Sequence, residues 1–353
     1  MDQFKILYEK FLNNNSSYLN WNNIELIDDF IITNVSDIPK LSKDTYDNIK
    51  NKVCVIKLNG GLGTTLGCVK AKSLMQIKDD FTFMDVILQQ QTLNKNVPLV
   101  LMNSFFTHDD TNDYLSKKEI NDLNVIAFNQ NKYPRIIKET KKCLDINSDN
   151  KDHLYPPGHG DLLQSLYSTG ILDKLLSTGI EYAYVSNSDN LGATLNFDIL
   201  NDFIKSDIDF ALELINKQID DVKGGTLIKY NGIYAMFEVA QCPPDKLNEF
   251  TSIDKFKYFN TNNIWIKLSS VKKLMSTDYL KDVDIIVNNK KLKDGTPCIQ
   301  LEYAIGSMIK FFNKIKCYIV KRDRFIPVKN NNDLELVRSN SFKLNRDSWK
   351  LEK

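Results

Sequence analysis

The stretch from residue 53 to residue 73 places the strongest constraint on how this chain can fold. Its first part, Val53 to Ile56, is a continuous apolar run of mostly β-branched residues, which predicts a strand covered on both faces. The loop that follows Asn59 carries glycines at positions 60, 61, 63 and 67, with Lys72 beyond them. Because glycines lack a Cβ atom, the N–H groups of such a loop can approach an anion closely. The stretch therefore predicts a buried strand that leads into an anion-binding loop.

The spacing of these glycines excludes two better-known loops. The dinucleotide motif G-x-G-x-x-G fails because three residues, not two, separate Gly63 from Gly67. The phosphate loop G-x-x-x-x-G-K-S fails because Leu66 and Ala71 stand where its two glycines belong, although Lys72 matches its lysine. On this loop alone, a tight turn with incidental glycines stays open as an alternative.

Strands and helices alternate around this loop. Thr82 is a predicted N-cap for a helix through Gln91, and the inward-facing residues are expected to be Phe83, Val86, Ile87 and Leu93. Further buried strands are predicted over residues 98–103, 124–128 and 182–185. The crossover spacing predicts an α/β fold with a mostly parallel, Rossmann-like sheet in three layers.

Other elements surround this sheet. Residues 2–12 have the apolar spacing of an amphipathic helix that packs on the main body. Asn231-Gly232 predicts a type I′ hairpin within residues 225–239, which forms a small β flap. A helix is predicted from Ile299 to Phe312, followed by a strand over residues 317–320.

Two polar positions stand where such a fold places ligand groups. His159 lies between two glycines in a proline-rich turn that opens a predicted helix through Leu176; it is either a turn histidine or a contact to an anion. Asp189 follows the strand over 182–185, where a carboxylate suits Mg²⁺, although Asp also caps turns routinely.

The composition limits the partners. Lys plus Arg number 46 against 45 Asp plus Glu, without basic runs, so no nucleic-acid or membrane partner is expected. The six cysteines form no C-x-x-C pair and are interpreted as reduced thiols. No apolar run reaches membrane-spanning length and no signal peptide is visible, which predicts a cytoplasmic protein.

Six motifs in order carry a resemblance to a known family. They are K-L-N-G-G-L-G-T-T-L-G (57–67), Y-P-P-G-H-G-D (155–161), V-S-N-S-D-N-L-G-A-T (185–194), K-G-G-T-L (223–227), F-N-T-N-N-I-W (259–265) and R-F-I-P-V-K (324–329). The chain resembles the eukaryotic-type UTP–glucose-1-phosphate uridylyltransferases, also called UDP-glucose pyrophosphorylases, from about residue 50 to 340. Related UDP-N-acetylhexosamine pyrophosphorylases are less similar, because their loop carries Arg where this chain has Thr65.

The resemblance implies a nucleotide-diphospho-sugar transferase fold and an activity. The implied reaction is the reversible, Mg²⁺-dependent conversion of UTP and glucose 1-phosphate to UDP-glucose and pyrophosphate. It implies an N-terminal helical extension over 1–45, a catalytic domain over 46–340 and a tail over 341–353, where relatives continue into a β-helix domain. A monomer is favoured without that domain.

The resemblance also implies roles for individual residues. Lys72 and Lys329 would hold phosphates, and Asp189 would bind the metal. The predicted nucleotide-binding residues are Leu58, Asn59, Gly60, Gly61, Met102, Gln130, Gly158 and Asn187. The predicted sugar-binding residues are His159, Gly225, Glu238, Asn260 and Asn262.

The sequence departs from the family pattern beside the predicted phosphate site. The family usually has K-G-P-K where this chain has Val69-Lys70-Ala71-Lys72. Two alternatives therefore stay open: use of another hexose 1-phosphate, and a catalytically silent relative that binds UDP-sugars. A Rossmann oxidoreductase is opposed by the glycine spacing.

Overall fold

The computed structural model of this chain describes residues 2–13, 18–120, 122–221 and 224–352. Its helices are α1 Asp2–Asn13, α2 Lys43–Ile49, α3 Phe83–Thr92, α4 His108–Ser116, α5 Leu162–Ser168, α6 Ile171–Ser177, α7 Phe197–Lys205, α8 Leu247–Phe250, α9 Leu268–Met275 and α10 Asn331–Arg338. Its strands are β1 Ile24–Glu25, β2 Ile32–Asn34, β3 Val53–Asn59, β4 Gln76–Lys78, β5 Phe81–Thr82, β6 Leu99–Asn103, β7 Val125–Asn129, β8 Tyr133–Pro134, β9 Ile136–Ile137, β10 Leu154–Tyr155, β11 Tyr182–Asn187, β12 Phe210–Asn216, β13 Thr226–Tyr230, β14 Ile233–Phe237, β15 Tyr258–Lys267, β16 Ile286–Lys291, β17 Pro297–Glu302, β18 Ile315–Ile319, β19 Lys343–Asn345 and β20 Lys350–Glu352.

An eight-stranded sheet forms the centre of the molecule, in the order β2-β18-β12-β15-β11-β3-β6-β7. Every neighbouring pair is parallel except those made by β15, which runs antiparallel to both β12 and β11. The carboxyl ends of the parallel strands therefore meet at one edge, where α/β folds bind ligands. This arrangement confirms the predicted mostly parallel α/β sheet.

Both faces of the sheet are covered, which is why β3 is buried along its whole length. Its side chains alternate: Ile56 joins one apolar cluster and Val55 joins another on the opposite face. The first cluster includes residues of α5, α6 and α9, and the second includes residues of α3, α7 and α10. Helices on both faces of one sheet give the three layers that the sequence predicts.

The start of α3 matches its prediction in detail. Thr82 Oγ1 accepts a hydrogen bond from Asp85 N at 3.0 Å, and Asp85 Oδ2 accepts one from Thr82 N at 2.9 Å, forming a capping box. The inward orientation predicted for Leu93 is wrong. The helix ends at Thr92, and Leu93 is 52% exposed.

The flap is also present. β13 and β14 form an antiparallel hairpin, and Asn231 and Gly232 at its turn have φ angles of 52° and 79°, as a type I′ turn requires. β1 joins it as a third strand.

Two helix predictions are wrong in part. Residues 299–312 do not form one continuous helix: β17 covers Pro297–Glu302, and only Ile305–Phe311 is helical, as a 3-10 helix. Tertiary pairing decides this segment, because β17 hydrogen-bonds to β16 and β9 on its two sides. The helix predicted through Leu176 is interrupted between α5 and α6, where Gly170 has a φ of 74°.

The two ends of the chain join the main body. In α1, Phe4 and Leu7 are buried, as the amphipathic pattern predicts. The first 45 residues are not only helical, however, because β2 pairs with β18 in the central sheet. The tail forms the hairpin β19–β20 and buries Leu351. The domain boundaries stay a prediction.

Among the described residues, no helix combines the length and the apolarity needed to cross a membrane.

Candidate active site

A crevice with a volume of about 410 Å³ opens at the carboxyl edge of the sheet, beside the ends of β3, β6, β7 and β11. The turn at 156–159 and the end of β17 close its other side. Its lining residues are Leu58, Gly60, Gly61, Leu62, Lys72, Met102, Gln130, Pro156, Gly158, His159, Asn187, Ser188, Asp189, Gln300 and Glu302. Ten of the residues predicted from the sequence thus share one crevice.

The glycine loop approaches Gln130 closely at the crevice wall. A Cβ atom on Gly60 would lie 2.1 Å from Gln130 Nε2, so a side chain cannot be placed there without moving Gln130. The loop is fixed from behind, because Ser104 Oγ donates to the carbonyl of Gly60 at 2.7 Å. The oxygen of the Gln130 side chain is buried and has no hydrogen-bond partner among the described residues. Such an oxygen is an open acceptor for a ligand N–H group.

Asn59, also predicted to contact the nucleotide, turns its side chain away from the crevice. Its Nδ2 donates to Asn103 Oδ1 at 2.7 Å and to Thr111 Oγ1 at 3.0 Å. Asn59 is 2% exposed. Its side chain therefore ties β3 to β6 and α4, and the glycine loop begins from this fixed point.

Lys72 and Asp189 meet at the centre of the crevice. Lys72 Nζ lies 2.5 Å from Asp189 Oδ2, and both side chains are 17% exposed. The neighbouring Lys70 is exposed and does not line the crevice. A salt bridge at this position keeps both charges compensated while no phosphate is bound.

Asp189 also has the features of a ligand for a hard divalent cation. Its second oxygen, Oδ1, is buried without a partner among the described residues. The described ranges contain no cluster of three or more His, Cys, Asp or Glu side chains that could hold a metal alone. A single carboxylate suffices for Mg²⁺ when waters and substrate phosphates complete its shell. The residues present fit that kind of site.

His159 enters the crevice as a neutral ring. Ile305 N donates to His159 Nδ1 at 3.1 Å, so the ring proton is assigned to Nε2. Burial lowers the pKa of His159 from 6.5 to about 4. At neutral pH the ring therefore offers a hydrogen-bond donor without a charge.

Gln300 and Glu302 were missed because the sequence interpretation placed them in a helix. They lie on β17 and line the crevice opposite the glycine loop. Burial raises the pKa of the Glu302 carboxyl. The alternation I-Q-L-E over residues 299–302 was the available signal, since Ile299 and Leu301 are buried in the core.

A chain of amides leads from the crevice to the predicted sugar-binding residues. Asn262 Nδ2 donates to Asn187 Oδ1 at 3.0 Å, and Asn262 N donates to Asn260 Oδ1 at 3.0 Å. Asn260 N in turn donates to the carbonyl of Gly225 at 3.1 Å. Asn262 has a φ of 60° at an irregularity of β15, and its side-chain oxygen is buried without a partner in the described part of the chain. These residues adjoin the 410 Å³ crevice without lining it.

Glu238 lies beyond these amides, at the end of β14. Burial raises the pKa of its carboxyl, and the charges of Lys217 and Lys329 oppose that rise. Lys217 is itself buried, and burial lowers its pKa to about 8. Burial therefore disfavours the charged form of both groups, while the opposite charge of each partner favours it.

Lys329 is exposed, and its ammonium lies 5.9 Å from the ring centre of Phe259 and 5.6 Å from that of Phe325. The backbone before Lys329 runs beside Asp189, the candidate metal ligand, because Val328 N donates to the carbonyl of Asp189 at 3.4 Å. Lys329 does not line the 410 Å³ crevice.

Comparison with known proteins gives consistent matches. The family model described as UTP--glucose-1-phosphate uridylyltransferase matches residues 1–353. A UTP--glucose-1-phosphate uridylyltransferase 2 from Dictyostelium discoideum is 41% identical over 346 residues, covering 96% of this chain and 69% of the relative. The corresponding protein of Solanum tuberosum is 42% identical over 351 residues, covering 97% of this chain and 73% of the relative.

Solved structures that superpose on this chain have names consistent with those of the sequence relatives. A UDP-glucose phosphorylase from Trypanosoma brucei superposes with a TM-score of 0.88 and 33% identity, covering 99% of this chain and 77% of that one. A mutant UDP-glucose pyrophosphorylase from Leishmania major, crystallised in complex with UDP-glucose, superposes with a TM-score of 0.87 and 29% identity over the same shares.

Proposed function

This chain belongs to the UTP–glucose-1-phosphate uridylyltransferase family, and we propose that its chemistry takes place in the crevice around Lys72 and Asp189. As an enzyme of this family, it converts UTP and glucose 1-phosphate reversibly into UDP-glucose and pyrophosphate. The observation that carries the placement is the Lys72–Asp189 pair, which puts one cation and one metal-ligating carboxylate at the carboxyl edge of the sheet.

Uridine binds between the glycine loop and the ends of β6 and β7. Leu58 and Met102 supply apolar contacts for the base, and the backbone of Gly60 and Gly61 approaches it without side chains. The side-chain oxygen of Gln130, which has no partner in the described part of the chain, accepts the N–H of the uracil ring. Gly158 and Asn187 lie where the ribose and the phosphates follow.

Mg²⁺ is the metal that fits this site. Asp189 would hold it through Oδ1, together with waters and phosphate oxygens. When bound, the ion neutralises charge on the phosphate oxygens. Lys72, beside Asp189, would place its ammonium on a phosphate.

The reaction is an in-line displacement at phosphorus. A phosphate oxygen of glucose 1-phosphate attacks the α-phosphorus of UTP, and the bond to pyrophosphate breaks on the opposite side. Such a step needs two anions held together and compensation for the charge of the leaving group. Lys72 and Lys329 supply that compensation, and His159 donates from Nε2 without adding charge.

The hexose lies against the amides that extend from Asn187. Asn260 and Asn262 present side-chain amides, and Glu238 is a half-buried acceptor for a sugar hydroxyl beside Gly225. Polar groups that bind sugar hydroxyls discriminate strongly between hexoses, because a sugar with a hydroxyl in another orientation leaves those polar groups without a hydrogen bond.

The decisive experiment measures pyrophosphate release after mixing the protein with UTP, glucose 1-phosphate and Mg²⁺. Release that stops when the metal is chelated is the expected result. A parallel reaction with galactose 1-phosphate tests the alternative of another hexose. Binding of UDP-glucose without any release would favour a catalytically silent relative instead.

A further inference from the structure

Two segments that carry site residues meet beside the crevice. The first, called here the Asp189 turn, is residues 187–194; the second, called the Lys329 loop, is residues 321–329. They lie more than a hundred positions apart in the sequence.

Backbone pairing joins the two segments directly. Asn190 and Pro327 form an isolated antiparallel bridge, and Val328 N donates to Asp189 O at 3.4 Å. The side chain of Asn190 bonds in both directions: its Nδ2 donates to Arg324 O at 3.1 Å, and its Oδ1 accepts from Ile326 N at 3.0 Å. The position of the Lys329 loop is thus fixed by the residue next to Asp189.

Close approach at Gly192 reinforces this pairing. A Cβ atom on Gly192 would lie 2.2 Å from the carbonyl oxygen of Asp323 and 2.9 Å from the carbonyl carbon of Arg324. Both neighbours are backbone atoms, so they cannot rotate away as a side chain would. Only glycine permits the observed separation of the two segments.

The side chain of Arg324 provides a third connection between the two segments. Its side chain is buried, with Nε at 2.9 Å from Glu213 Oε2 and Nη2 at 2.6 Å from Glu213 Oε1. Nη2 also donates to Tyr184 Oη at 3.0 Å and to the carbonyl of Thr194 at 3.0 Å. One guanidinium therefore ties the Lys329 loop to β12, to β11 and to the end of the Asp189 turn.

We propose that Arg324 is a positioning residue that holds the Asp189 turn and the Lys329 loop as one rigid unit, so that Asp189 and Lys329 reach the same phosphate groups together. The inference rests on the proposed function of the crevice. A lysine cannot replace Arg324, because one ammonium lacks the planar fork that bonds both Glu213 oxygens and still reaches Thr194. Arg324 does not line the 410 Å³ crevice, so its effect passes through the two segments.

The test compares Arg324→Lys with Arg322→Lys. Arg322 pairs with Asp221, and it precedes Arg324 by only two positions, so it is a matched control. We expect kcat of Arg324→Lys to fall by about 10- to 100-fold, the scale of a displacement of about 1 Å in a reacting group. Arg322→Lys should stay within about twofold of wild type. Equal kcat values for the two variants would overturn the proposal.

A double-mutant cycle with Lys329→Ala separates positioning from a general loss of stability. Because Arg324 places Asp189 as well as Lys329, the double variant should be slower than either single variant but should lose less than the product of the two single losses. Losses that multiply in full would show that Arg324 acts independently of Lys329, and would overturn the proposal.

Hydrogen exchange provides a readout that needs no catalysis. In Arg324→Lys, amides of residues 187–194 and 321–329 are expected to exchange faster together, with no such change in Arg322→Lys. Faster exchange in one segment alone would contradict the rigid unit.

If Arg324→Lys does not fold, Asn190→Ala takes its place, since it leaves the buried ion pair intact. A wild type without pyrophosphate release would refute the proposed function, while the exchange result would still decide the coupling.

Discussion

The two halves of the active site are built from different parts of the protein. The nucleotide half, Leu58, Gly60, Gly61, Met102 and Gln130, comes from the ends of three neighbouring strands and one local loop. The hexose half, Gly225, Glu238, Asn260 and Asn262, comes from the flap and from an irregularity in β15. The first half contains no charged side chain, whereas the second contains the half-buried carboxyl group of Glu238.

This difference shows that the two halves recognise their ligands through different kinds of groups. In the nucleotide half, backbone and neutral groups are fixed by the sheet before any ligand arrives. In the hexose half, by contrast, a carboxyl group, Glu238, is partly buried, and burial raises its pKa. Lys72 and Asp189 are assigned to the boundary between the halves, and their substitution should therefore lower kcat. Substitutions within one half should instead change substrate binding or protein stability.

The largest effect is expected from Lys72→Ala, at the boundary. Removing the cation that faces Asp189 should lower kcat by about 10²–10³-fold, the usual scale for one preorganised electrostatic partner. Initial rates of pyrophosphate release at saturating substrates measure it. Lys70→Ala, at an exposed position two residues away, is the matched control. A greater loss in Lys70→Ala than in Lys72→Ala would contradict the role given to Lys72.

The next largest effect is expected from Asp189→Asn, also at the boundary. We expect kcat to fall by about 10²-fold, because the only carboxylate assigned to the metal is lost. UTP binding without metal, measured by calorimetry, should change little, since the nucleotide half is untouched. A variant with unchanged Mg²⁺ dependence would remove Asp189 from the metal site.

A smaller effect, confined to one half, is expected from Glu238→Gln. The KM for glucose 1-phosphate should rise by about tenfold, as expected for one lost hydrogen bond to a hydroxyl, while the KM for UTP stays near the wild-type value. Steady-state kinetics with each substrate varied in turn measure both constants. Equal changes in the two KM values would show that the halves are not separate.

The last expected effect is on stability and not on activity, and it concerns His159. Its pKa is about 4 in the folded protein against 6.5 in the unfolded chain, so the unfolded chain binds more protons in that window. Stability is therefore lost as the pH falls below 6.5. Between pH 7 and pH 5, wild type should lose about 1–2 kcal/mol more free energy of unfolding than His159→Gln. Urea denaturation at both pH values measures this; parallel losses in the two proteins would show that His159 is not held neutral.

Most local structure could be predicted from the sequence. The apolar run of β3, the Thr82 cap and the Asn231-Gly232 turn each depend on residues close together in the chain, and all three predictions are confirmed. Helix and strand could not be separated in the apolar segment after Pro297. Pairing with β16 and β9 decided it, and with it the presence of Glu302 in the crevice.

The sequence itself determined the glycine loop, the strand that precedes it and the order of the motifs. Each of these depends on local backbone preference and hydrophobic periodicity. Only the tertiary structure decided which polar side chains face the crevice. Asn59 turns away from it, and Lys57, inside the apolar strand, is buried with its ammonium on Ser186 Oγ and on the carbonyl of Ala193, each at 2.9 Å. The physical reason is that a buried polar group must find partners, and those partners come from distant parts of the chain. No local pattern contains that information.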